Sequence, residues 1–368
     1  MSTVITGLGL VSPFGVGVGA FWNGLRSGGS ALASARRFTG TAEPVGEVPD
    51  DLGAPRKRAY LTRALGEALV DAGLSGVPDD ALLVLVGQAP WEPGELPDWD
   101  EFVGPAAPET LGERTSYLTH ACASAGFGVG FAREAIRSGL TDTVVVAGAT
   151  ALNRYEYASM SAVRAVSGAA ARPFDRARAG ISIGEGGGAV VLESAERAAA
   201  RGAPRDVAVA GVCCRVGTGK SAASDPELIE DCVRDALADA EADRLDYVHA
   251  HATGTPQGDQ AELVALESVA ADCGSTALPV GSHKGAVGHL LHTSCLPGIT
   301  AAVLALRTGE VPPTAGLTDP EATARLRLTP TRLPVDRPTA AAVTSFGFGS
   351  NNCALLLTRD PGASGGRR

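Results

Sequence analysis

TSYLTHACASAGFGVGFAREAIRSG, Thr115–Gly139, is the stretch from which the fold can be read. Its front part, Thr115–His120, mixes β-branched and aromatic residues and predicts a short strand. Its back part carries apolar residues at helical spacing and stops at Gly139, a residue suited to a left-handed helix end. The next apolar run, Thr143–Ala147, predicts another strand. Strand, helix and strand in this order form a βαβ unit, in which a helix covers a mainly parallel sheet.

The same rhythm extends both ways. Val4–Val11 predicts a strand, Arg58–Ala72 an amphipathic helix stopped by Gly73, and Ala81–Val86 a buried strand. Glu185–Glu193 reads as a Gly-rich bend followed by a strand. From Asp206 the pattern restarts, with strands Val207–Cys214 and Tyr247–His251 around a helix Pro226–Ala240. Helices Gln260–Ala271 and Gly288–Arg307 follow, then strands Ala341–Phe346 and Cys353–Leu357. ALVDAGL…PDDALLVLVG from Ala68 and ALADAEADRLDYVHAHATG from Ala236 both run helix, acidic turn, apolar strand. That echo points to a duplicated α/β architecture, ending in a disordered tail over Asp360–Arg368.

Composition bounds the function. The 368 residues, 45% hydrophobic and 20% charged, suit one large α/β domain or two fused halves and exclude a disordered chain. No apolar run reaches the roughly 18–20 residues that span a bilayer. The N-terminus lacks a basic segment followed by an apolar one, so the expected location is the cytoplasm. A net charge of −10 argues against nucleic acid as the main partner. The seven cysteines contain no C-x-x-C pair and read as reduced thiols, not a disulfide framework or zinc knuckle.

The six histidines fall in three clusters: His120; His249 and His251; and His283, His289 and His292. Scattered core histidines do not normally gather this way. Cys122 stands where the Thr115–His120 strand turns into a helix. A thiol there feels the positive helix end, which favours thiolate, so Cys122 reads either as a nucleophile or as a buried structural cysteine. His251 closes an apolar strand, where active sites of α/β sheets collect. His289 is expected at a helix N-terminus, which favours neutral imidazole. One cysteine and two histidines suggest covalent acyl-thioester chemistry, and SFGFGSNN (Ser345–Asn352) offers backbone N–H groups for an oxyanion hole. GISIG (Gly180–Gly184) fits the hydrolase elbow around Ser182, but a strand follows where that elbow needs a helix. GEGGGA fails as a dinucleotide loop for the same reason. A zinc site has only the His249/His251 pair in its favour.

With these residues in place the chain resembles the β-ketoacyl-acyl carrier protein synthases, condensing enzymes of the thiolase fold. ITGLGLVSPFG, FWNGLRSGGSAL, HACASAGFGVG, ARPFDRARAGISIGEGGGAVVLE, HATGTPQGDQAE, HKGAVGHLL, GEVPPTAGL and SFGFGSNN follow one another in the family's order. The resemblance implies duplicated βαβαβ halves in an αβαβα layering, with a half carrying the cysteine over 1–200, a half carrying the histidines over 201–358, and a tail over 359–368. It implies that Cys122 accepts an acyl group from a phosphopantetheine arm, so no cofactor resides in the protein. A malonyl-type extender then condenses with it by decarboxylation, in fatty acid or polyketide synthesis. His251 and His289 stabilise the enolate, with Lys284 beside them and Glu262 as the ion-pair partner of Lys284. Backbone N–H groups of Cys122 and Phe348 form the oxyanion hole. Thr253 and Thr255 bind the pantetheine amides, and Phe346 and Phe348 line the gate. Expected partners are an acyl carrier protein, docking on Arg56, Lys57, Arg58 and Arg63 unless these are only a solvated face, and a second ketosynthase-like chain in a homo- or heterodimer. Non-decarboxylating acyl transfer, thioester hydrolysis and a chain-length-factor-like subunit remain as alternatives.

Departures from the family surround the same pocket. The stretch between the first long helix and Cys122 is short, which touches the acyl tunnel and the dimer. Where the family has GAAG after its second histidine, this chain has His292, Thr293, Ser294 and Cys295, with Pro297 expected to kink the helix or confine its regular part. His292, at i+3 from His289 on the expected helix, reads as a proton-transfer group or, the favoured reading, a pocket-shaping or core residue. His249, Ala252 and His283 also replace the family's usual residues.

Overall fold

In the computed structural model, residues 2–38, 41–87, 114–218, 225–360 and 362 are described. A twelve-stranded sheet runs through the molecule. Eleven of its strands are labelled here: β1 (Thr3–Ser12), β2 (Leu82–Val86), β3 (Thr115–Leu118), β4 (Thr143–Thr150), β5 (Gly186–Ser194), β6 (Val207–Val216), β7 (Tyr247–His249), β8 (Leu278–Gly281), β9 (Leu326–Leu328), β10 (Ala340–Gly347) and β11 (Asn351–Arg359). Their order is 9-8-7-10-11-6-1-5-4-2-3, and Gly15–Val16 pairs with β1 off this path.

The order read from the centre outward shows the duplication. From β1 the strands go 1-5-4-2-3, and from β6 they go 6-11-10-7-8. The senses match too: 1-5-4 and 6-11-10 are antiparallel, whereas 4-2-3 and 10-7-8 are parallel. The two sets are joined in the sheet by a single ladder pair, Val4 with Ala208. Parallel strands need helical crossovers that cover both faces, which is why β4 and β10 are apolar and buried.

Layering follows from which helices are buried along most of their length. Helices Ser124–Arg137 and Cys295–Thr308 lie between the two strand sets and pack on strands of both. Eleven of the fourteen residues of Cys295–Thr308 are buried, as a helix with no solvent face requires. Helix Arg56–Asp71 covers β1, β5 and β4 outside, and Pro226–Asp239 covers β6 and β11 on the other side. The result is the αβαβα arrangement expected from the sequence.

One expected helix differs. Gly288–Arg307 is not continuous: Lys284–Val287 forms a short helix, Leu291–Thr293 a 3₁₀ turn, and the regular helix begins at Cys295. Gly288 breaks the run at φ +80, and a Cβ there would lie 2.9 Å from the Gly184 nitrogen. His289 therefore stands in an extended turn, not at the N-terminus of a long helix, and His292 does not share a helix face with it. Pro297 falls in the first turn of its helix, where no N–H is missed, so it confines the helix start instead of kinking it. Arg359 closes β11, so the tail begins after it, and nearly all of the tail lies outside the described residues. Residues 88–113, most of the shortened stretch before Cys122, lie outside them as well. Among the described residues no helix is long and apolar enough to cross a membrane.

Candidate active site

The turn after β3 presents Cys122 in a tight, strained loop. Ala121 has φ +48, and the Ser124 hydroxyl donates to its carbonyl while accepting from the His120 N–H at 2.7 Å. The helix starts at Ser124, so Cys122 precedes its cap. The hairpin between β10 and β11 closes over this turn. Ser345 Oγ donates to the Cys122 carbonyl at 3.1 Å, and Gly347 lies so near that a Cβ would sit 2.9 Å from the Cys122 nitrogen. Only glycine permits that approach, and the Phe348 amide follows immediately. The expected lowering of the thiol pKa is not what the site produces. Burial pushes the Cys122 thiol up to about 11, opposed by the charge of Lys284 and reinforced by Glu156. Cys122 therefore rests as a thiol.

His251 and His289 meet edge to face with ring centroids 5.5 Å apart. His251 follows β7, and its N–H donates to Glu262 at 2.9 Å and Thr344 Oγ1 at 2.9 Å. Phe346 packs on its ring at 5.4 Å. His289 is clamped by its backbone to GISIG, donating to the Ser182 carbonyl at 2.8 Å and accepting from the Gly184 N–H at 3.0 Å. Its Nδ1 lies 3.0 Å from Ser294 Oγ. Burial first, then the Lys284 charge, holds both imidazoles well below the usual histidine pKa, so both are neutral at pH 7. Burial, not a helix end, is the cause of neutrality at His289.

Lys284 is 2% exposed and donates through Nζ to the His251 carbonyl. Burial lowers it to about 8, with Glu262 the largest opposing charge. Among the described residues no ion pair joins it to Glu262, which departs from the expected partnership. Glu262 instead accepts from the His251 and Ala252 N–H groups and from Thr344 Oγ1 at 2.6 Å. It is a splint for the strand end that carries His251.

Cys122, His251 and His289 line one cavity of about 440 Å³. Thr253, Thr255, Phe346 and Phe348 line it too, and the two threonine hydroxyls are 3.1 Å apart. Asp259 holds that loop by accepting from the Thr253 and Gly254 N–H groups at 3.0 Å. Met160, Ile181, Leu228 and Gln257 also line the cavity, none singled out by sequence. Met160 comes from the short helix Arg154–Ala162, whose weak periodicity gave no signal.

The other histidines serve elsewhere. His120 stacks on Phe127 at 4.0 Å and bonds through Nδ1 to Asn351 at 3.0 Å, fastening the Cys122 turn to the hairpin. His249 and His283 are joined, Nε2 to Nδ1, at 2.8 Å in the core, with Tyr247 Oη 2.7 Å from His249 Nδ1. His292 lies 3.9 Å from Glu156, outside the lining of the cavity. Ser182 Oγ is 1% exposed as a residue and accepts from the Ala171 N–H, which removes it as a nucleophile. Of the four basic residues proposed as a patch, Arg56 turns inward to Glu185 at 2.7 Å and Lys57 is buried, leaving Arg58 and Arg63 exposed. Among the described residues no group of three His, Cys, Asp or Glu side chains is placed to hold a metal ion.

Comparison with known proteins gives a consistent picture. The family model described as beta-ketoacyl synthase, N-terminal domain, matches residues 115–198, and its C-terminal domain counterpart matches 208–318. Nodulation protein E of Rhizobium meliloti (strain 1021) is 31% identical, covering 96% of this chain and 98% of the relative. The 3-oxoacyl-[acyl-carrier-protein] synthase 2 of Coxiella burnetii is 28% identical over 97% of this chain and 98% of its own. Among solved structures, the ishigamide ketosynthase/chain length factor superposes with a TM-score of 0.84 at 28% identity, covering 98% of this chain and 99% of that one.

Proposed function

The chain belongs to the β-ketoacyl synthase family, and we propose that it loads an acyl group onto Cys122 and condenses it with a malonyl-type extender, both delivered as carrier-protein thioesters. The observation that carries this reading is the convergence of Cys122, His251 and His289 on one cavity, with Lys284 behind them.

In the loading step the Cys122 sulfur attacks the thioester carbonyl. The bond to the pantetheine sulfur breaks, and the thiol proton leaves with that sulfur. Two neutral imidazoles suit the second step. The extender carboxylate departs as CO₂, and the electron pair of the broken bond becomes an enolate. Its oxygen needs donors that stabilise charge without a full proton transfer. The enolate carbon then attacks the acyl-Cys122 carbonyl, whose oxygen faces the backbone N–H groups of Cys122 and Phe348. Cys122 leaves as thiolate and takes a proton from solvent. The buried Lys284 charge favours every anionic stage. Thr253 and Thr255 line the cavity where the carrier's pantetheine arm would pass, and the arm arrives on the carrier instead of residing in the protein. For an acidic carrier, the exposed Arg58 and Arg63 are the proposed docking charges, and the dimer partner is a second ketosynthase-like chain.

Intact-mass measurement after exposure to a panel of acyl-carrier thioesters tests the loading step, with Cys122→Ala as control. CO₂ release from malonyl-carrier protein tests the condensation. Acylation without CO₂ release would replace this reading by non-decarboxylating acyl transfer or hydrolysis. Product formation unchanged in Cys122→Ala would make the chain a partner subunit.

A further inference from the structure

We propose that Ser294 is a positioning residue for His289: it fixes the imidazole proton on Nε2 and so makes the face of His289 in the cavity a hydrogen-bond donor. This rests on the condensing function proposed above and assigns a role to one of the residues that depart from the family's sequence.

The bond between His289 Nδ1 and Ser294 Oγ is 3.0 Å, and the two residues are 3% and 1% exposed. Either atom could in principle donate. The surroundings decide the direction. Among the described residues the Ser294 hydroxyl has no other hydrogen-bond partner, and the nearby Leu290 carbonyl already accepts from Thr293 Oγ1 at 2.9 Å. A buried hydroxyl proton with one acceptor in reach goes to that acceptor, because the reverse arrangement leaves an orphaned donor away from water. Ser294 therefore donates to Nδ1, and the single proton of the neutral ring resides on Nε2.

The backbone makes the contact robust. His289 is tied by its own N–H and C=O to Ser182 and Gly184, so the ring plane is its remaining freedom. The 3₁₀ turn Leu291–Thr293, entered through Leu291 at φ +44, folds Ser294 back beside the ring. His251 differs: its Nδ1 is buried with no hydrogen-bond partner. The two imidazoles are thus not equivalent, and only His289 has its tautomer imposed by a side chain.

The test separates loading from condensation. In Ser294→Ala, Cys122 acylation should stay within about twofold of wild type, while condensation falls about 10–100-fold in kcat with little change in KM, as for loss of a group that orients a catalytic one. Ser294→Thr, which keeps the hydroxyl, should recover most of that loss. Nitrogen NMR of ¹⁵N-histidine-labelled protein at pH 7 reads the tautomer without any substrate. His289, assigned by its loss in His289→Gln, should carry its proton on Nε2 in wild type and be mixed in Ser294→Ala. A wild-type proton on Nδ1, or wild-type condensation in Ser294→Ala, overturns the proposal. Should Ser294→Ala fail to fold, the wild-type spectrum still decides. Failure of the condensing function itself shows separately, as absent acylation or CO₂ release in wild type.

Discussion

Gly347→Ala probes the proposed oxyanion hole through packing alone. The new methyl carbon would lie 2.9 Å from the Cys122 nitrogen and 3.1 Å from both Ala121 Cβ and the His120 carbonyl oxygen. Comfortable separation is about 3.5 Å, so the hairpin must retreat by about 0.6 Å. That shift lengthens a hydrogen bond from Phe348 N–H to the oxyanion from about 2.9 Å to about 3.5 Å, the edge of usefulness. Losing one such donor costs about 10²–10³ in kcat, or about 2.7–4 kcal/mol. Overpacking should lower stability by about 1–3 kcal/mol, which leaves the protein folded. Both half-reactions pass through a tetrahedral oxyanion, so acylation and condensation should fall together while the thermal melt stays cooperative. Gly66→Ala is the matched control. Gly66 lies in helix Arg56–Asp71 with nothing within 4 Å of an added Cβ, so activity should be unchanged and stability should rise by about 0.4–1 kcal/mol. Wild-type acylation by a folded Gly347→Ala protein would refute the assignment of this turn to the oxyanion hole.

Three further outcomes follow from the buried charges. Lys284 loses its proton near pH 8, so condensation should decline above that pH, and Lys284→Met should be slow with that limb absent from its pH–rate profile. The sign for stability is the opposite: between about 8 and 10.5 the unfolded chain holds the lysine proton and the native state does not, so this residue's contribution rises with pH, readable in urea melts. With the Cys122 thiol near 11, iodoacetamide should alkylate it more slowly than a free thiol at pH 7, and the rate should climb with pH towards 11; fast labelling that is flat from pH 6 to 9 would contradict a protonated resting thiol. Glu262→Ala strands two buried donors, the Ala252 N–H and the Thr344 hydroxyl, while the His251 N–H keeps Thr344 Oγ1, and should lower unfolding free energy by about 2–3 kcal/mol, whereas Glu262→Gln, keeping one acceptor oxygen, should lose less.

Much of this molecule is legible along the chain. Strand and helix periods are local properties, so β1, β4, β10 and the helix after Cys122 lie within a few residues of their expected places. Cys122, His251 and His289 are legible because each stands at the end of an apolar run beside small residues. The apolar pattern of HLLHTSCLPGITAAV fits a helix all the way, which is why it predicts one from Gly288; the break comes at Gly288, whose positive φ goes with its close packing on Gly184 and Ile183, and again at Leu291 with φ +44.

By itself, then, the sequence determined the α/β class and marked Cys122, His251 and His289 as candidate site residues, since those depend on residue type and local spacing. Only the tertiary structure decided which charges and hydrogen bonds act on them. Lys284 binds the His251 carbonyl and not Glu262, Glu262 splints a strand end, Ser294 faces His289, and His120, His249, His283 and His292 stay out of the lining of the cavity that His251 and His289 share. Those partners are often far apart in the chain, and a proton's position or a thiol's acidity depends on burial and on atoms a few ångströms away, neither of which a linear pattern encodes.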